Sequence, residues 1–355
     1  MTLTTVPGKS EQQRLDARIL IAGIAGASLG TEIAKCLRRA GGYEIIGCDI
    51  SPLAYGHYDS NFDGTFLVDR GVYIEELLAL CRRERIDCII PGGDEPAVLI
   101  SRSEDRFAEI GIRVCHNNAA LVDRLSHKGR CFEILSAIDV ATPLTATVSS
   151  ADDLHRIPLP CIIKPATGSG GSSFVFFARS YAEAELYCAY LRNNNRIPVA
   201  QEYIPHTRGE FTVGVISRPD GSCAGAIALR RSFNSKLSVA MQGEDFVISS
   251  GYSQGQIEEF PEICAVASQI AERLGSTGPL NIQGRVTGDG KFVPFEINAR
   301  FSASTFLRTL AGFNEVDFYT RLSLEQTPQS ELRIRPGWYL RTLIESAVPP
   351  DKLKQ

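Results

Sequence analysis

The sequence predicts an α/β fold followed by an α+β one: a doubly wound parallel-sheet domain, then a region built on antiparallel sheets. Two observations carry this. Short apolar runs alternate with helical stripes over residues 18–118. Farther on, strand-like runs come in pairs around the turn signals Pro219-Asp220-Gly221 and Gly288-Asp289-Gly290.

The elements follow in order. Arg18–Gly23 is a short apolar run ending in glycine, and Thr31–Ala40 has helical spacing through Ile33, Ala34 and Leu37. Glu44–Asp49 reads as a second strand. Tyr73–Glu84 reads as a helix, with Ile74, Leu77, Leu78 and Cys81 on one stripe. Ile86–Pro91 and Gly111–Cys115 complete the strands of the first domain. Leu121–Ala137 reads as one helix leading into a new unit. Between residues 160 and 300 the strand pairs are interrupted by a helix at Glu262–Leu274. Residues 328–355 are rich in proline and charge and read as a partly ordered extension; residues 1–17 read as a loose polar tail.

Composition excludes several classes of function. The chain has 355 residues, 44% of them hydrophobic, which is ordinary for a globular protein of two or three domains. Its formal charge of −4 gives no basic field to draw nucleic acid or an anionic membrane. No apolar run reaches the roughly 18–20 residues of a membrane span. Ten scattered cysteines without CxxC pairs, several inside apolar runs, point to buried reduced thiols in a cytoplasmic protein. Five histidines without ligand spacing give no histidine-rich metal site.

Three glycine motifs differ in weight. Gly23-Ile-Ala-Gly26-Ala-Ser-Leu-Gly30 follows a strand and opens a helix, and Asp49 stands where a ribose-binding acid would. Two residues separate its first glycines where a dinucleotide fingerprint has one, so a tight strand-to-helix crossover is preferred to nicotinamide binding. Gly8-Lys9-Ser10 has Leu3 where a P-loop needs glycine and no strand before it, so it is rejected. The run Gly168, Ser169, Gly170, Gly171, Ser172 follows the strand Cys161–Pro165 and precedes the apolar Phe174–Phe177. Such a loop offers many backbone N–H groups and little obstruction to a phosphate, with Lys164 as a charge at its mouth.

The strongest signal lies in residues 280–300. A two-residue turn on Asp289-Gly290 sets Gln283 across from Glu296. Alternation then sends Ile282, Val286, Val293, Phe295 and Ile297 to one face, and Asn281, Gln283, Arg285, Glu296, Asn298 and Arg300 to the other. One carboxylate and neighbouring amide oxygens are hard donors that suit Mg²⁺, and Arg300 on the same face suits phosphate or carboxylate. The bland alternative is a solvated sheet face.

Together these residues resemble the ATP-grasp superfamily, its carbamoyl-phosphate synthase-like branch in particular, over nearly the whole chain. The resemblance implies a leading α/β domain over 18–118. It implies an ATP-grasp domain of two α+β subdomains over 119–327, with the flap subdomain at about 130–205. It also implies nucleotide contacts from Lys128 and Lys164, a flap at Gly168–Ser173, an adenine hinge through Glu202, Tyr203 and Ile204, and a ribose contact from Glu210. Gln283, Glu296 and Asn298 take the place of the metal set, and Arg300 that of the basic group near the transferred phosphate. The chain departs from the family pattern at Gln283, where many members have an acid, and at His127, often Asp in relatives.

What the resemblance implies chemically is ATP-dependent joining of a small carboxylate, such as an amino acid, to an amine through an acyl phosphate, with Mg²⁺ (or Mn²⁺) bound. Arg230, Arg231 and Lys236 form a basic cluster; Arg230 and Lys236 are taken as catalytic candidates beside Arg300, or else as a solvated loop. Asp94 and Glu95 follow a strand end and either hold the amine or, for Asp94, cap a helix. Phosphoryl transfer without ligation, and non-catalytic ATP binding, stay open as alternatives. No nucleic-acid or membrane partner is expected, and a homodimer is left open.

Overall fold

Strands β1 (Ala17–Ala22), β2 (Tyr43–Asp49), β3 (Gly64–Leu67), β4 (Cys88–Pro91) and β5 (Arg113–Val114) form a parallel sheet in the order β3-β2-β1-β4-β5. The computed structural model describes residues 17–26, 29–168, 172–328 and 331–354. The tail expected over 1–17 lies outside them except for Ala17, which opens β1. β3 was not foreseen: Gly64–Leu67 is too short to show a period. The helices Leu29–Ala40 and Tyr73–Arg83 cover opposite faces of the sheet, as a doubly wound fold requires.

The crossover reading of the first glycine motif holds in the packing. A Cβ on Gly30 would lie 1.9 Å from the Gly23 carbonyl oxygen, and one on Gly92 2.0 Å from the same atom. Both oxygens of Asp49 are engaged by backbone amides, those of Ile24 and Ser51, at 2.8 and 3.0 Å. These glycines let three loops touch.

The helix expected over 121–137 is two, Ala119–Ser126 and Lys128–Ala137. His127 has extended backbone (φ −102°, ψ 112°) and its ring caps the second helix. The break puts Lys128 at a helix start. Next come β6 (Thr145–Thr147), β7 (Cys161–Pro165), β8 (Phe176–Ala178) and β9 (Pro198–Glu202), an antiparallel sheet in the order β6-β9-β7-β8 backed by the helix Tyr181–Asn193.

A second antiparallel sheet follows. It contains β10 (Glu210–Ser217) and β11 (Cys223–Arg231); β12 (Val239–Gln242) and β13 (Val247–Ser249) then form a separate hairpin. β14 (Gly255–Ile257), β15 (Pro279–Val286), β16 (Phe292–Asn298) and β17 (Gly337–Tyr339) complete the large sheet in the order β16-β15-β10-β11-β14-β17. The C-terminal extension thus supplies an edge strand. One face of this sheet packs on the helix Pro261–Arg273. The far end of the other meets the helices Thr305–Leu310 and Glu315–Ser323, which lie against Leu29–Ala40 of the first domain.

That junction holds a buried charge. Arg308 is 1% exposed; it bonds Glu315 at 2.9 Å and Asn281 at 2.9 Å. Glu315→Ala should leave the guanidinium buried and unpaired, at a cost of about 3–5 kcal/mol. Urea unfolding of the variant checks this; an unchanged midpoint would contradict it. All ten cysteines are free, eight of them buried, and burial pushes the Cys131 thiol up to about 12. Among the described residues no helix is long and apolar enough to cross a membrane.

Candidate active site

The β15–β16 hairpin sets Gln283 opposite Glu296 and Asn281 opposite Asn298, as the alternation requires. The route differs from the expected one. The turn is a residue longer: Thr287 N donates to Lys291 O at 2.9 Å, and Gly290 takes φ +87°. A bulge at Phe295 then restores the register before Glu296. Two side chains change face as a result. Phe292, not Val293, joins Ile282, Val286 and Ile297 in the core. Phe295, expected in that core, lines the cleft on the other side.

That cleft, about 630 Å³, lies between the two antiparallel sheets. Lys164 on β7 projects into it, 5% exposed, with Nζ 2.7 Å from Gln201 Oε1 and 3.2 Å from the Phe295 carbonyl oxygen. Burial and then Lys128 push its ammonium down to about 7, despite the opposing pull of Glu296. Among the described residues no carboxylate pairs with it directly. Glu296 lies 3.4 Å from Lys128 and accepts from Asn298 Nδ2 at 3.1 Å. Burial opposes its charge, yet Lys128 and Lys164 hold its carboxyl below the usual range.

The hinge residues line the same cleft. Glu202 accepts from the Leu144 amide at 3.0 Å, and the Tyr203 hydroxyl accepts from the Val247 amide at 3.0 Å. The Ile204 carbonyl accepts from Arg285 at 2.6 Å, whereas its amide has no hydrogen bond among the described residues. Arg285 also donates to the Val247 carbonyl at 2.7 Å and lies over the rings of Tyr203 and Phe295, 4.8 and 5.5 Å from their centroids. Ile162, Val175 and Ile248 add apolar walls to the cleft beside the hinge.

Three expected contacts fall elsewhere. Glu210 is fully buried and does not line the cleft; it bonds Arg285 at 2.8 Å and lies 3.4 Å from Arg231. It braces two arginines rather than facing a ribose. Arg230 and Lys236 are exposed; alternation along β11 turns Arg231 inward and Arg230 out, and Lys236 lies beyond that strand. Arg231 bonds the Ser250 carbonyl at 2.7 Å. Of the glycine loop, Ser169, Gly170 and Gly171 lie outside the described residues. Gly168 lines the neighbouring cavity, and Ser172 lines the cleft and donates to the Ser249 carbonyl.

A larger cavity, about 1270 Å³, adjoins the cleft and shares Glu296 with it. Lys128, Asn298 and Arg300 line it, together with Asp94 and Glu95 from the first domain. Asp94 does not cap its helix; Gly93 stands at the cap, and Asp94 accepts from Arg300 Nε at 2.5 Å. Asp94 is exposed, and Arg300 holds its carboxyl below the usual range. Nothing local in the sequence signals this interdomain pair. Asp94→Asn should leave Arg300 less fixed and lower the turnover number about tenfold, with ATP affinity unchanged. Steady-state kinetics checks this; an unaltered turnover number would refute it.

The donor set can be tested for Mg²⁺. Among the described residues no cluster of three His, Cys, Asp or Glu side chains could hold a metal. Glu296 with the amides Gln283 and Asn298 offers one carboxylate and two neutral oxygens. This suits an ion that takes its remaining ligands from substrate phosphate and water. Here the Asn298 NH2 donates to Glu296, so to ligate an ion shared with Glu296 the amide would have to flip and turn its oxygen to it.

Residues 199–343 match the family model described as ATP-grasp in the biosynthetic pathway with Ter operon, and residues 19–115 match the PylC-like N-terminal domain. Among solved structures, a Campylobacter jejuni biotin carboxylase–βγ-ATP complex matches at TM-score 0.67 and 13% identity, over 92% of this chain and 75% of that one. N5-carboxyaminoimidazole ribonucleotide synthetase from Thermotoga maritima matches at 0.60 and 16%, over 90% and 79%. An Aspergillus clavatus carboxyaminoimidazole ribonucleotide synthase complexed with ATP matches at 0.65 and 13%, over 90% and 80%. At these identities the likeness is one of fold. No curated protein matches the chain.

Proposed function

We propose that this chain, a member of the ATP-grasp superfamily, is a ligase that joins a small carboxylate to an amine at the expense of ATP. The observation that carries the reading is the convergence of Lys164, Lys128 and Glu296 where the cleft opens into a second cavity. A protein that only bound ATP would need the cleft but not the adjoining chamber with its anchored arginine.

In this reading the base lies in the cleft beside Tyr203, Phe295 and the Ile204 amide. Lys164 and Lys128 neutralise phosphate oxygens. A Mg²⁺ ion, held by Glu296 with Gln283 and Asn298, supplies charge neutralisation and orientation of the triphosphate when bound; Mn²⁺ would serve the same ligands. The substrate carboxylate, placed by Arg300, attacks the γ-phosphorus; a P–O bond forms, the β,γ-bridging P–O bond breaks, and ADP leaves. The amine nitrogen then attacks the acyl carbon, the C–N bond forms and the C–O bond to phosphate breaks. Overall, carboxylate, alkylammonium and ATP give amide, ADP, phosphate and one proton. Gly168 and Ser172 line the two chambers.

The test is ADP release from Mg·ATP against a matrix of acids and amines, with products read by mass spectrometry. Amide in step with ADP supports the reading. A phosphorylated product that persists when amine is present would establish phosphoryl transfer without ligation instead.

A further inference from the structure

Glu210, the carboxylate expected at the ribose, does not line the cleft; its charge is shared by Arg231 and Arg285. Of these two arginines, Arg285 lines the cleft. Lys164 and Arg285 are the only cations among the described residues that do so. They stand at different places along it. Lys164 lies beside Gln201 and the Phe295 carbonyl, within the influence of Lys128 and Glu296. Arg285 reaches from the hinge carbonyl of Ile204 to the ring of Phe295. It therefore stands between the base end of the cleft and the phosphate end, where the sugar of a nucleotide would lie.

The side chain of Arg285 is 6% exposed and held in plane. Nε donates to Glu210 Oε2 at 2.8 Å, Nη1 to the Ile204 carbonyl at 2.6 Å and Nη2 to the Val247 carbonyl at 2.7 Å. Nη2 also lies 2.7 Å from Glu210 Oε2. A guanidinium carries five N–H groups. These contacts engage the one on Nε, one on Nη1 and both on Nη2, which leaves one N–H of Nη1 over. Because the other donors fix the fork, the remaining one has a set direction.

The surroundings make this arginine costly to keep. Ile162, Val175, Ile248 and Phe295 line the same cleft. Taking a guanidinium out of water is unfavourable, and one carboxylate shared between two of them compensates only in part. An arginine in such a place is accounted for by a ligand that needs a hydrogen-bond donor there.

We infer that Arg285 binds the sugar of the nucleotide, with Nη1 donating to a ribose hydroxyl oxygen, and that Glu210 is the positioning residue that holds it. The inference rests on the reading that the cleft takes ATP; it does not depend on which bond the enzyme then forms. A carboxylate at this place would accept from the sugar, whereas the guanidinium donates to it.

The experiment is calorimetric titration of the full chain with Mg·ATP and with Mg·2′,3′-dideoxy-ATP, which lacks both sugar hydroxyls. Wild type should bind ATP about tenfold or more tighter than the dideoxy nucleotide. In Arg285→Met the affinity for ATP should fall to the dideoxy level, while that for the dideoxy nucleotide changes less than about threefold. A purely structural loss would weaken both nucleotides alike. Arg285→Lys keeps the positive charge beside Glu210 and decides the matter should Arg285→Met fail to fold. Its single ammonium cannot replace the fork, so the preference for ATP should shrink there as well. Indifference of the wild type to the hydroxyls, equal weakening of both nucleotides in Arg285→Met, or a full wild-type preference in Arg285→Lys would each overturn the inference. A wild type that binds neither nucleotide would remove the ATP reading of the cleft itself. Preference for ATP lost in both variants, with no amide formed from any acid and amine, would leave the sugar contact and remove the ligase.

Discussion

Glu296→Ala should lower ATP turnover about a thousandfold or more while the fold survives. Its side chain is 28% exposed and anchors no core, so thermal unfolding should shift little. Two effects act together in the site. The variant loses the only carboxylate of the Gln283–Glu296–Asn298 set, and it leaves Lys128 and Lys164 facing each other with no intervening anion. Glu296→Gln keeps shape and hydrogen bonding but not charge, and should be nearly as inactive. ADP release and circular dichroism measured side by side decide the matter. Turnover within tenfold of wild type in a folded Glu296→Ala protein would refute the phosphoryl-site assignment.

Lys164→Ala should weaken ATP binding by a hundredfold or more, because a buried cation facing a triphosphate acts at low dielectric. Titration of the lysine gives a second signature. The ammonium is held down to about 7, against an ordinary 10.5. The charged form binds phosphate, and it is present below about 7. Above that pH the free protein must take up a proton on binding, so the apparent Kd should rise with pH by up to tenfold per unit. In Lys164→Ala that slope should vanish. The linkage to folding has the opposite sense. Between about 7 and 10.5 the unfolded chain holds the extra proton, so this residue makes the protein more stable as pH rises through that window. Calorimetric titration of ATP at several pH values checks the first statement. Equal affinity in wild type and Lys164→Ala would remove Lys164 from the phosphate site.

Both predictions concern residues legible in the sequence, and the reason is local. Strand alternation and turn chemistry act over a few residues, so an oxygen-rich face on residues 281–298 could be read where a core face would be ordinary. The lysine before Pro165 and the glycine run after it could be read for the same reason. The break at His127 was less accessible, because apolar spacing continues through it and only backbone geometry shows two helices. Glu210 carried the right residue type for a ribose contact, yet two arginines from neighbouring strands claim its carboxylate.

By itself, then, the sequence determined the class of fold and which of Gln283, Glu296, Asn281 and Asn298 stand opposite one another on the β15–β16 ribbon. Those depend on periodicity, composition and turns, which are properties of short segments. Tertiary structure decided the rest. A one-residue bulge turned Phe295 to the cleft, the phase of β11 chose Arg231 over Arg230, and Asp94 met Arg300 across 206 positions of chain. Each outcome depends on which surfaces pack together, and packing between distant segments leaves no periodic mark on either of them.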